Sequence, residues 1–192
     1  MKEKNAVMGI FFLAGFLFGT LLPNILWKTQ ASQNAVASMY FLTTFVNTGL
    51  SGKDFFLEIL RVRGSYLVLC VLCGFSVFGV PLAAISSLVM GLQTGGILTV
   101  SVLQFGLTGG LIGLSFLMPH YVIYIPVWLK LMEEVYKQSK GIWSKEGTIA
   151  MGVGGYCKKV TGLIFLYVLG VLAECYINPA IVEKMTNSLK IF

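Results

Sequence analysis

The chain has 192 residues, of which 56% are hydrophobic and only 11% charged, and it carries a net charge of +6. A soluble domain is about a quarter charged, so the composition excludes a soluble globular protein and reads as one integral membrane domain spanning residues 1–192. The basic excess is greatest over residues 130–159, with six Lys against three Glu. No basic stripe interleaves with aromatics on a soluble face, so the charge points to the lipid bilayer and to topology rather than to nucleic acid.

The first apolar run predicts a span over residues 6–27, after a start of Met1-Lys-Glu-Lys4. Ala35-Val-Ala37 resembles a signal-peptidase site. It lies ten residues past Trp27, however, and the run is long for a secretory leader, so an uncleaved first span is expected. Gly15 and Gly19 form a GxxxG pair, which permits close helix approach.

Residues 28–63 form the longest connection with polar content. Ser51-Gly-Lys-Asp54 offers a helix start, with Asp54 near the positive end of the dipole. Phe55, Phe56, Ile59, Leu60 and Val62 then fall largely on one face, and Lys53, Glu58 and Arg61 elsewhere. This predicts an amphipathic helix, lying on the membrane surface or docked on a partner. Phe41, Phe45, Phe55, Phe56 and Leu60 are the candidate partner-binding residues.

From Gly64 to Leu129 runs a 66-residue block without Asp, Glu, Lys or Arg. As helix it would extend roughly 100 Å, about three bilayer cores, so it must double back. The expected spans are 65–89, with a kink at Pro81, and 97–118, with a turn at Met90–Gly96 between them. Gly106/Gly110 and Gly109/Gly113 both have GxxxG spacing and predict tight helix packing. Residues 119–135, with Pro119 and Pro126, form either a short fourth span or a re-entrant segment. A charged loop is expected over 136–159 and a last span over 160–182. The fold class is therefore all-α: a polytopic bundle of about five transmembrane helices plus an interfacial amphipathic helix.

No catalytic constellation emerges. HExxH, GxSxG and paired carboxylates are absent, and Gly152-Val-Gly-Gly155 does not lead into a phosphate-binding loop. Cys70-Val-Leu-Cys73 has CxxC spacing but sits in an apolar segment where a thiolate would be poorly solvated. The expectation is a non-enzyme without metal or other cofactor. His120 and Glu174 are the notable polar residues at membrane depth. Glu174 is read either as making a structural hydrogen bond or as contacting His120 or a partner's span. His120, beside Pro119, is read either as satisfying free backbone groups at a break or as relaying protons.

Three stretches carry a resemblance: Ser76-Val-Phe-Gly-Val-Pro-Leu82, Met118-Pro-His-Tyr-Val-Ile-Tyr-Ile-Pro126, and Ala173-Glu-Cys-Tyr-Ile-Asn-Pro-Ala-Ile181. In order and spacing they resemble the stage II sporulation protein M family of polytopic membrane proteins, over most of the chain. In the wider family a Gly and a Glu occupy the positions of Tyr121 and Tyr124; the apolar segment here looks closer to the sporulation branch. Glu174 matches the family's Glu before an aromatic and a Pro. The resemblance implies a non-catalytic scaffold in engulfment, in the mother-cell membrane at the septum of an endospore-forming bacterium. Its partners would be stage II sporulation proteins D and P, which cut peptidoglycan and which it would recruit and position. The alternative reading is a permease subunit driven by a separate ATPase.

Overall fold

The computed structural model describes residues 7–26, 52–118, 120–143, 153–178 and 180–181. All regular structure among them is helical. Helix α1 is Val7–Leu26, α2 Gly52–Cys73, α3 Gly79–Leu117, α4 His120–Trp143 and α5 Val153–Leu172, which runs into a π-helical turn, Ala173–Ile177. The all-helical expectation holds for these residues.

Among the described residues three stretches are long and apolar enough to cross a membrane: Val7–Ile25, Gly79–Leu103 and Gly154–Ile177. Five spans are therefore not supported. α2 takes in Glu58, Arg61 and Arg63, and α4 takes in Lys130, Glu133, Glu134, Lys137 and Lys140. Large apolar side chains line the outside of the bundle, among them Ile10, Leu13 and Leu17 on α1, Ile85 on α3 and Phe165 on α5. Such a belt suits a lipid environment.

The reversals in the uncharged block are not where its glycines suggested. Met90–Gly96 is helix, not turn. Its glycines face the GxxxG pair of α1: a Cβ on Gly91 or Gly95 would strike the carbonyl oxygens of Phe12 or Phe16. A Cβ on Gly15 or Gly19 would strike those of Leu88 or Leu92. Both helices carry Gly-xxx-Gly, and the pairs rise together, so α1 and α3 run parallel at backbone contact.

The first reversal lies at residues 74–78, between α2 and α3. Ser139 of α4 fixes it: its Oγ donates to Ser76 O (2.6 Å) and accepts from Val80 N (3.1 Å). The expected kink at Pro81 is absent because Pro81 is the third residue of α3, where a missing N–H costs little.

The second reversal is Gly106, with φ 67° and ψ −149°. In a straight helix Ser101 and Gly113 would lie ~18 Å apart. Instead a Cβ on Gly113 would come within 2.8 Å of Ser101 Cβ, so the end of α3 folds back on itself. Residues 97–118 are accordingly not one span. Gly110 and Gly113 do pack closely, against Val102 and Ser101, whereas Gly106 has open space around it and serves the bend. The packing of Gly109 lies outside the described residues.

Met118 ends α3 in an extended conformation (φ −88°, ψ 144°), as expected of a residue before proline. α4 continues through Trp143, so the charged loop expected from residue 136 is helical as far as that point, and α5 begins at Val153 rather than at 160. Tyr124, Trp128, Leu131, Val135 and Ser139 form the buried stripe of α4. Glu134 pairs with Lys159 at 3.3 Å, and Tyr156 Oη donates to Val71 O at 2.9 Å. These contacts place Val7, residues 74–78, Lys140 and Tyr156 at one end of the bundle. Glu58, Gly106, His120 and Glu174 lie toward the other.

Candidate functional site

The buried face of α2 is the stripe Phe56, Ile59, Arg63, Leu67 and Cys70. One guanidinium thus replaces an apolar residue in an otherwise apolar stripe. On α5 the inward stripe Tyr156, Val160, Tyr167 and Val171 continues to Glu174 in the π turn. On α4 the inward stripe begins at His120 and Tyr124. Three helices therefore deliver Arg63, Glu174, His120 and Tyr124 to one place.

Glu174 is the hub. Arg63 Nη2 lies 2.6 Å from its Oε1, and Tyr124 Oη donates to its Oε2 at 2.8 Å. His120 Nε2 stands 3.9 Å from Oε1. The Arg63 guanidinium also covers the Tyr124 ring, with Cζ 5.1 Å from its centroid. The Tyr124 ring in turn lies against Tyr167, centroids 4.7 Å apart. Gly170 makes this possible, because a Cβ there would come within 2.6 Å of Tyr124 Cε1. The side chain of Glu174 is only 13% exposed, so its charge is held by partners rather than by solvent.

Beside this cluster is a cavity of about 420 Å³ between α2, α3, α4 and α5. Arg63 and Gln93 line one end, and Tyr66, Ser86 and Trp128 the other. Tyr66 Oη and Ser86 Oγ are hydrogen-bonded at 2.7 Å, and the Tyr66 and Trp128 rings stack with centroids 5.7 Å apart. Buried Trp128 Nε1 and His120 Nδ1 have no hydrogen-bond partner among the described residues.

Both polar residues singled out in the sequence belong to the cluster, and Glu174 does approach His120. Its closest partner, Arg63, was not singled out. The signal was available: Arg63 stands four residues after Ile59 and four before Leu67, on the apolar side of its helix. The candidate partner-binding residues fare unevenly. Phe41, Phe45 and the side chain of Phe55 lie outside the described residues. Phe56 packs against the core, Leu60 is half-buried, and the outward apolar groups of this segment are Leu57 and Val62. Among the described residues no group of His, Cys, Asp and Glu could hold a metal ion.

No protein-family profile, no curated protein and no solved structure matches the chain.

Proposed function

We propose that the chain is a non-catalytic membrane scaffold that presents the charged half of α2 to extracytoplasmic partners. The observation that carries this reading is the Arg63–Glu174 pair at 2.6 Å. It clamps α2 to the end of α5 directly below the exposed residues Leu57, Glu58 and Arg61. A charged pair whose carboxylate is largely buried and shared with Tyr124 favours one geometry over alternatives, and a rigid display surface needs that.

Charge supports the orientation. Lys137, Lys140, Lys158 and Lys159 gather at the end where α1 begins. By the positive-inside tendency that end faces the cytoplasm, and the Glu58–Arg61 end faces outward. α2 and α4 then pack beside the three apolar helices.

The partners are read from the resemblance to the stage II sporulation protein M family: peptidoglycan-cutting sporulation proteins D and P at the engulfing septum. Two of the three stretches behind that resemblance supply His120, Tyr124 and Glu174 to the cluster, and the third forms the turn capped by Ser139. Affinity purification of the tagged chain from sporulating cells tests the reading, with both hydrolases expected in the eluate. Topology is tested with Glu58→Cys and Lys140→Cys, each in a background lacking the four native cysteines. An impermeant thiol reagent should label the first in intact cells and the second only after permeabilisation. Absence of the hydrolases, or the reverse labelling, overturns it.

A further inference from the structure

The cavity between α2 and α3 has a mouth and two distinct ends. Val62 and Val89 stand at its rim, 66% and 38% exposed, on the outer, apolar surface of the bundle. Its floor is Trp128, 4% exposed. Arg63 and Gln93 mark the polar end, with the exposed charges Glu58 and Arg61 within about a turn and a half of Arg63 on α2. Ser86 lies seven residues before Gln93 on α3, ~10 Å further along the axis, beside Tyr66 and Trp128. There Tyr66 and Ser86 satisfy one another, while the indole N–H of Trp128 is buried without an acceptor. An unpaired buried donor is costly, and it is relieved by an acceptor brought by a ligand.

We infer that this cavity binds a membrane glycerolipid entering sideways from the bilayer between α2 and α3. Its polar headgroup lies at the Arg63 and Gln93 end, an ester carbonyl accepts from Trp128 Nε1, and one acyl chain runs between Val62, Val89 and the rings of Tyr66 and Trp128. The lipid phase is the source because the mouth opens among apolar side chains. The volume, about 420 Å³, holds part of a lipid rather than all of it, so the remaining chain stays in the bilayer. This inference rests on the membrane placement of α3 and α5 and not on the scaffold reading.

The test uses the full chain with Trp27→Phe and Trp143→Phe, which leaves Trp128 as the sole indole. It is reconstituted in vesicles of phosphatidylethanolamine and phosphatidylglycerol whose acyl chains are dibrominated, and compared with unbrominated vesicles. Bromine quenches at short range, so Trp128 emission is expected to fall clearly below its level in unbrominated vesicles despite its burial in the bundle. Val62→Phe and Val89→Phe, which fill the rim from exposed positions, should each abolish most of the quenching. Leu166→Phe, on the outer face of α5, should leave it unchanged. Circular dichroism verifies that every variant keeps its helix content. Emission insensitive to bromination, equal quenching in the rim variants, or quenching by aqueous iodide in place of bromolipid would each overturn the assignment.

Discussion

Arg63 and Glu174 are separated by 111 positions in the chain, yet their side chains meet at 2.6 Å. The contact joins a helix that begins with charged residues to the end of an apolar one, and Tyr124 completes it from a third helix. Each charge would be expensive at this depth without the other.

The pair should therefore be strongly non-additive. Arg63→Gln is expected to lose about 3 kcal/mol of stability, because it leaves the Glu174 carboxylate, 13% exposed, uncompensated, and Glu174→Gln should lose less, because the Arg63 side chain is 34% exposed. The double variant should lose less than the sum. A double-mutant cycle on unfolding in detergent micelles reads the coupling, and strict additivity would show that the contact contributes nothing.

Tyr124 separates hydrogen bonding from packing. Tyr124→Phe keeps the ring against Tyr167 and under Arg63 but removes the donor to Glu174 Oε2. A loss of about 1.5 kcal/mol is expected for a bond to a charged acceptor. Gly170→Ala should cost at least as much by displacing the ring. Combined, the two changes should cost less than their sum, since the displaced ring no longer has a bond to lose. Thermal unfolding of the four proteins in one detergent decides it.

Glycines divide into two classes. Gly15→Ala, Gly19→Ala, Gly91→Ala and Gly95→Ala each push a methyl into a facing backbone carbonyl. Each should cost about 1–3 kcal/mol by overpacking and should loosen α1 from α3. Gly9→Ala and Gly162→Ala meet open space and should be neutral, or stabilising by up to about 1 kcal/mol through helix propensity. Protease resistance across this series provides the measurement, and a uniform response would refute parallel α1–α3 packing.

Gly106→Ala isolates a backbone effect. Nothing lies within 4 Å of the added methyl, but the φ of 67° suits glycine far better than alanine. A cost of about 1–3 kcal/mol is expected. The fold-back should also open, which lowers the yield of a disulfide between Val102→Cys and Gly110→Cys under mild oxidation.

Much of the architecture is legible in the residues. Low charge and long apolar runs give helices suited to a bilayer, because only a closed hydrogen-bonding backbone is tolerated there. The Gly15/Gly19 pair announces a close helix contact. His120 and Glu174 announce a polar site because so few ionisable groups share their surroundings.

Within the block from Gly64 to Leu129 the sequence is nearly silent about direction, since no charge marks an interface. Gly91, Gly95 and Gly96 offer a turn and a packing surface equally well. Which they are depends on α1, more than 60 positions away, whose own glycines can receive them only if the helix stays straight. The turn falls instead at residues 74–78, where Ser139 supplies the hydrogen bonds that a reversal leaves unmade.

The sequence by itself determined that this protein is helical, suited to a membrane, and carries a carboxylate that needs a partner. Only the tertiary structure decided that the partner is Arg63, that Tyr124 shares the load, and that α3 bends at Gly106 rather than at Met90–Gly96. The physical reason is common to all three. An apolar segment fixes its helical state locally through backbone hydrogen bonds, whereas ion pairs, carbonyl-to-glycine contacts and caps are supplied by residues far away in the chain.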